Sequence, residues 1–199
     1  MVAKKSELAE RLESVRGRIA RACAKAKRDP ADVTLVAVTK NAMPEQIREA
    51  IQLGVTDLGE SRVQVLAQRG AQINEYYQRR VQLGDLPAMP KIRWHMIGHL
   101  QRNKVKQILP IVSIIHSVDS LRLAEELEVQ LAKGERKLPV MLQVNASEEK
   151  SKFGVAVGAA VHLAEQIDTM PQLQLVGLMT MAPLTEDRED ARSAFRRTR

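Results

Sequence analysis

Apolar positions along the chain follow two alternating rhythms. Leu8, Leu12, Val15, Ile19 and Ala22 recur at steps of three and four between charged residues, which predicts an amphipathic helix over 6–28. Asp29-Pro30 is placed to stop it. Thr34 to Thr39 then forms a short β-branched run without polar alternation, as expected of a parallel strand buried on both faces. The pair of rhythms repeats. Pro44 opens a helix that closes near Gly54, and residues 55–60 give a second strand. A helix over 63–77 leads into a loop marked by Gly and Pro at 82–91. Strands at 92–97, 111–115, 138–144 and 173–179 alternate with helices at 101–109, 121–132, 157–168 and beyond residue 183. The Ser/Asp group at 117–120 is placed to cap the helix at 121, and a polar loop, 145–154, follows the fifth strand.

Neighbouring parallel strands need a crossover, and this chain supplies a helix after nearly every strand. The expected fold class is therefore α/β, a (β/α)8 TIM barrel forming one domain over 1–199. An open parallel sheet is the alternative. A complete barrel takes about 250 residues. Strands seven and eight have no counterpart before Arg199, so the expected domain is C-terminally incomplete.

Composition narrows the class without changing the fold. Apolar residues at 44% and charged residues at 28% exclude a disordered chain. The start, MVAKKSELAERLES, has no apolar core of a secretory signal. No run approaches the roughly 20 apolar residues that span a bilayer. The one cysteine, Cys23, rules out an internal disulfide, and its helical setting favours a structural or surface thiol over a reactive one. A cytoplasmic protein is expected. The net charge of +7 is scattered, and aromatic residues make up only 3%, too few for platforms that stack single-stranded nucleic acid. Neither a membrane nor a specific nucleic-acid partner is expected.

Chemistry concentrates where strands end. Lys40 and Asn41 follow the first strand, and Glu60, Ser61 and Arg62 the second. His95, Gly98 and His99 surround the end of the third; His116, Ser117 and Asp119 follow the fourth; Asn145 and Ser147 follow the fifth, and Thr180 the sixth. In a barrel these points share one mouth, which is where function collects. Lys40 is the sharpest of them. A lysine beside an apolar strand loses its proton more easily, and its neutral amine forms an imine with an aldehyde. A solvated lysine that merely ends a strand is an equal reading of the same position. His95 lies between Trp94 and Met96, where a core or barrel-lining histidine is the commoner role, while His99 and His116 are the more exposed candidates. Four histidines and one cysteine show no zinc-site spacing, so no metal is expected. No dinucleotide, phosphate-loop or nucleophile-elbow motif occurs.

Five segments together resemble the pyridoxal-phosphate homeostasis protein family, single-domain relatives of the alanine racemase N-terminal barrel. They are VAVTKNAMPEQIREAIQLGVTDLGESRVQ at 36–64, WHMIGHLQRNKVKQI at 94–108, SVDS at 117–120, VNASEEKSKFG at 144–154 and LVGLMTMAP at 175–183. The resemblance covers nearly the whole chain, in order. It implies pyridoxal 5′-phosphate as cofactor, held as a reversible Schiff base on Lys40. It further implies cofactor contacts at Ser61 (where the family usually has Asn), His95 and Met179, and matches the loop after the fifth strand at Lys152 and Gly154. The family continues with a Ser-rich glycine loop and a Thr-x-Val-Arg-x-Gly segment that hold the phosphate; neither occurs in this sequence.

The function implied is a carrier that buffers the reactive aldehyde and releases it to apoenzymes that depend on it, acting as a monomer in vitamin B6 balance. No catalytic residue is implied. A racemase needs a base on each face of the substrate carbon, and the only tyrosines, Tyr76 and Tyr77, fall on a predicted outer helix. A weak amino-acid racemase using the same cofactor remains one alternative. A regulatory interaction protein with the cofactor as an optional signal is the other.

Overall fold

The computed structural model describes residues 6–149 and 151–199. The first five residues, which begin the start read above as lacking a signal, lie outside the described residues. Seven α-helices and six strands alternate among the described residues, and strand order follows chain order from β1 to β6 in one sheet. The chain divides into two compact units, Met1–Gly59 with Ala71–Arg93, and Glu60–Gly70 with Trp94–Arg199.

The first unit holds α1 (Glu7–Ala26), β1 (Ala37–Val38), α2 (Pro44–Gln52), most of β2 (Asp57–Glu60) and the later turns of α3 (Val63–Gln82). Ser6 caps α1 by accepting the Ala9 N–H. The helix ends at Lys27, which takes a left-handed φ of 53° and donates to the Ala24 carbonyl, two residues before the Asp29-Pro30 stop expected from sequence. Asp29 instead caps a single 3₁₀ turn at Pro30–Asp32. Pro44 does open α2, and Gly54, at φ +81°, turns the chain out of it. β1 pairs β2 in parallel, Ala37 opposite Leu58 and Val38 opposite Gly59.

The second unit holds β3 (Arg93–Met96) from Trp94 onward, α4 (Val105–Ile108), β4 (Val112–Val118), α5 (Leu121–Ala132), β5 (Leu138–Gln143), α6 (Ala160–Asp168), β6 (Leu173–Met179) and α7 (Arg188–Thr198). The strands pair in parallel, β3 with β4, β4 with β5, and β5 with β6. One face of this sheet packs on the helices. Val112, Ile115, Leu138, Val140 and Leu142 are fully buried, as are Ala124, Leu127 and Ile167 from α5 and α6. Such burial, at ~25 cal/mol per Å² of apolar surface, is the main force holding helices to strands. Arg136, after α5, donates to the Leu109 and Val112 carbonyls and ties that helix end to the start of β4. Ser120 stands at the start of α5 but gives no side-chain cap; its hydroxyl donates to Asp119 instead.

Candidate functional site

In the first unit the chemistry rests on a pinned strand end. Thr39 follows β1 and is buried, its N–H donating to the Gly59 carbonyl at 2.9 Å and its hydroxyl to the same oxygen at 3.3 Å. Its own carbonyl accepts the Ala42 N–H at 2.8 Å, closing a turn with Lys40 and Asn41 at the two central positions. A short, buried residue thus fixes the backbone, and the next residue projects a long amine. Lys40 is exposed, not packed as a desolvated amine would be. The large cavity of this unit, about 530 Å³, lies among Arg16, Val33, Leu35, Val55, Asp57 and Arg93. That is the N-terminal end of β1 and β2, the opposite end from Lys40. Chemistry in parallel β/α folds gathers at C-terminal strand ends, so the larger cavity is not the site.

In the second unit the exits of β2 and β3 are locked together. Glu60 is completely buried. Its Oε1 accepts the N–H of Ser61 at 2.8 Å and of Arg62 at 3.4 Å, and its Oε2 pairs Arg69 at 3.1 Å. A buried carboxylate is tolerable only with such partners. Its carbonyl accepts the Ile97 N–H at 3.0 Å. Gly98 then passes so close that a Cβ there would sit 2.2 Å from the Ser61 carbonyl oxygen. Only glycine admits this approach. Ser61 is therefore held rigidly at the strand exit, its N–H committed to Glu60.

The third strand brings His95 into contact with His116. His95 stands opposite Ile114, and His116 lies two residues beyond Ile114, hence on the same face. His95 Nδ1 and His116 Nε2 are 2.8 Å apart. His95 is buried and His116 half-buried, inside β4, not after it as the sequence suggested. Burial, with His95 as the second cause, pushes His116 down to about 4, so it is neutral at physiological pH. His116 lines a cavity of about 480 Å³ with Met141, Leu178, Met179 and Thr180. Met179 thus sits beside His116, while Ser61 belongs to the β2 exit.

Two further groupings stand at the same strand ends. His99 Nδ1 lies 3.1 Å from Asp119 Oδ2, and its ring stacks on Phe153 at 4.1 Å. Phe153 was missed by sequence reasoning, since a lone aromatic in a polar loop carries no periodic signal. In the loop after β5, Asn145 Nδ2 donates to the Glu149 carbonyl at 2.9 Å, and a Cβ at Gly154 (φ +125°) would lie 2.6 Å from the Asn145 nitrogen. Among the described residues no group of three metal-ligating side chains converges. No helix among them is long and apolar enough to cross a membrane.

Residues 4–199 match the family model described as alanine racemase, N-terminal domain. The pyridoxal phosphate homeostasis protein of Pseudomonas aeruginosa is 38% identical over 194 residues, 98% of this chain and 78% of that one. A solved structure of an unknown protein from Bifidobacterium adolescentis superposes with a TM-score of 0.85 at 34% identity, covering 96% of this chain and 76% of that one. PipY of Synechococcus elongatus, solved with pyridoxal phosphate bound, gives 0.73 at 30% identity, covering 96% and 78%.

Proposed function

The chain belongs to the pyridoxal phosphate homeostasis protein family, of the alanine racemase N-terminal barrel type, and from that premise we propose that it carries pyridoxal 5′-phosphate reversibly on Lys40. The observation that supports this most is the Lys40 turn. Lys40, an exposed residue, stands at the C-terminal end of β1, on a backbone pinned by the buried Thr39. The cofactor supplies an aldehyde, which condenses with an amine and is freed again by water or by a second amine. An accessible lysine on a fixed turn suits such loading and unloading.

The residues present fit the group. Ser61 stands on a rigid strand exit, His95 brings a buried imidazole, and Met179 a polarizable side chain on the cavity wall. These three are the further contacts proposed. No residue is assigned to substrate turnover. Of the two tyrosines, Tyr76 accepts a hydrogen bond from Arg80 and Tyr77 is buried on α3, so neither is offered as a second base. The carrier acts in the cytoplasm as a monomer, and its recipients are apoenzymes that need the same cofactor.

Absorption titration of the purified chain with pyridoxal phosphate tests the reading. A saturable visible band is expected in the wild type and is lost in Lys40→Ala. Equal bands in both would refute Lys40 as the carrying residue.

A further inference from the structure

We propose that the cavity at the N-terminal end of β1 and β2 binds a small carboxylate with a hydrocarbon tail, the carboxylate seated on Arg16 and the tail on an apolar wall. The site lies wholly within the first unit and is independent of the chemistry assigned to Lys40.

The cavity holds about 530 Å³, within the size range of pockets that enclose small ligands. Arg16, Ile19 and Ala20 reach it from α1, and residues 33–35 from the segment that leads into β1. Residues 54–57 reach it from the turn that joins α2 to β2. Ile19, Val33, Leu35 and Val55 give it an apolar wall, and Val55 is only 5% exposed. Ile19 stands three residues after Arg16 on α1, so the cation and part of the wall share one helix face.

The charges around the cavity do not cancel. Two guanidinium groups and one carboxylate line it. Arg93 and Asp57 neutralise each other: Arg93 Nε lies 2.7 Å from Asp57 Oδ1, and its Nη2 donates to Oδ2 at 2.9 Å. Arg16 Nη2 donates to the Leu53 carbonyl at 3.2 Å, which anchors the guanidinium at the end of α2. No carboxylate pairs with Arg16 among the described residues. A guanidinium presents several N–H donors in a planar fork, so one anchoring bond leaves most of the fork for a ligand.

The remainder is one positive charge beside an apolar wall. A carboxylate matches it, because it meets a guanidinium through two parallel N–H···O bonds. A phosphate dianion would bring charge in excess, and a cationic ligand would find Asp57 already paired. Thr34 and Thr56 also line the cavity and add hydroxyl groups for the carboxylate oxygens. A hydrocarbon tail laid against Ile19, Val33, Leu35 and Val55 leaves water, which supplies the driving force.

Amide NMR of the full chain titrated with hexanoate, without pyridoxal phosphate, tests the site. Saturable shifts are expected around Arg16 and Ile19, over Val33–Leu35 and over Gly54–Asp57. Hexanamide keeps the tail and loses the charge; acetate keeps the charge and loses the tail. Each should bind more weakly by about tenfold or more. Arg16→Gln should weaken hexanoate binding by about tenfold. Arg18→Gln removes an exposed cation of α1 that does not line the cavity and should change nothing. Because Arg16 also anchors the end of α2, Ala20→Glu is a second variant: at an exposed position one turn from Arg16, it supplies a rival carboxylate and leaves the anchor in place. It should abolish hexanoate binding in a folded chain. The absence of saturable shifts, shifts spread over the basic surface, equal weakening in Arg18→Gln, or binding unchanged in Arg16→Gln or Ala20→Glu overturns the proposal. Hexanamide bound as tightly as hexanoate overturns the carboxylate contact, and acetate bound as tightly overturns the apolar wall.

Discussion

Replacing Gly98 by alanine tests the locked exits of β2 and β3. The new Cβ would lie 2.2 Å from the Ser61 carbonyl oxygen, 2.7 Å from its Cα and 2.8 Å from its carbonyl carbon. All three are backbone atoms, so no side chain can rotate away. Relief requires the two exits to part by about 1 Å, given ordinary carbon–carbon contacts of ~3.5 Å. Ser61 cannot move alone, because its N–H is bound to the buried Glu60 and the Glu60 carbonyl holds Ile97. Overpacking costs about 1–3 kcal/mol, and a weakened ladder bond adds about 1 kcal/mol. The expected loss is therefore about 3 kcal/mol. With a urea dependence of roughly 2 kcal/mol per molar, the unfolding midpoint should fall by about 1.5 M. Gly158→Ala is the control, since nothing lies within 4 Å of its Cβ position. A Gly98→Ala midpoint equal to that of the control would refute the close approach and the rigid placement of Ser61.

Two other perturbations follow from buried charge. Arg69→Met removes the cation facing the fully buried Glu60 and should cost about 3 kcal/mol in urea unfolding; adding Glu60→Gln should recover part of it, and a neutral single variant would contradict the pairing. His116 has its pKa lowered in the fold, so the unfolded chain binds the proton more readily. Its contribution is complete above pH ~6.5 and is lost as pH falls toward 4. A fall from 6.5 to about 4 corresponds to about 3 kcal/mol, which solvent around the half-buried ring reduces to about 2 kcal/mol. Unfolding of His116→Gln between pH 7 and 4.5 should depend on pH less steeply by that amount; parallel curves would contradict the burial.

What the sequence made legible is the rhythm of elements and the places where strands end. Short apolar runs marked the six strands among the described residues, although β2 carries Asp57 and Glu60 and β6 leaves Val176 and Leu178 exposed. Their lengths were less legible. The run Thr34–Thr39 yields only Ala37–Val38 as paired strand, since its partner β2 offers its ladder only from Asp57. β4 extends past Ile115 to Val118 because Val118 still pairs Leu142 in β5, although polar His116 and Ser117 intervene. For that reason His116 looked like a loop residue. Its contact with His95 depends on the register between two strands, which periodicity within either strand does not contain. Lys40, in contrast, was legible as the first polar residue after an apolar run, and the five family-like segments attached a chemistry to it. The turn that presents Lys40 depends on Thr39, whose burial follows from pairing with Gly59.

Reductive trapping tests the central claim most directly. The wild-type chain, incubated with pyridoxal phosphate, is treated with borohydride, digested and mapped by mass spectrometry. The account predicts one dominant peptide bearing the reduced cofactor on Lys40. Adducts spread over many surface lysines, or a dominant adduct on another residue, would contradict it.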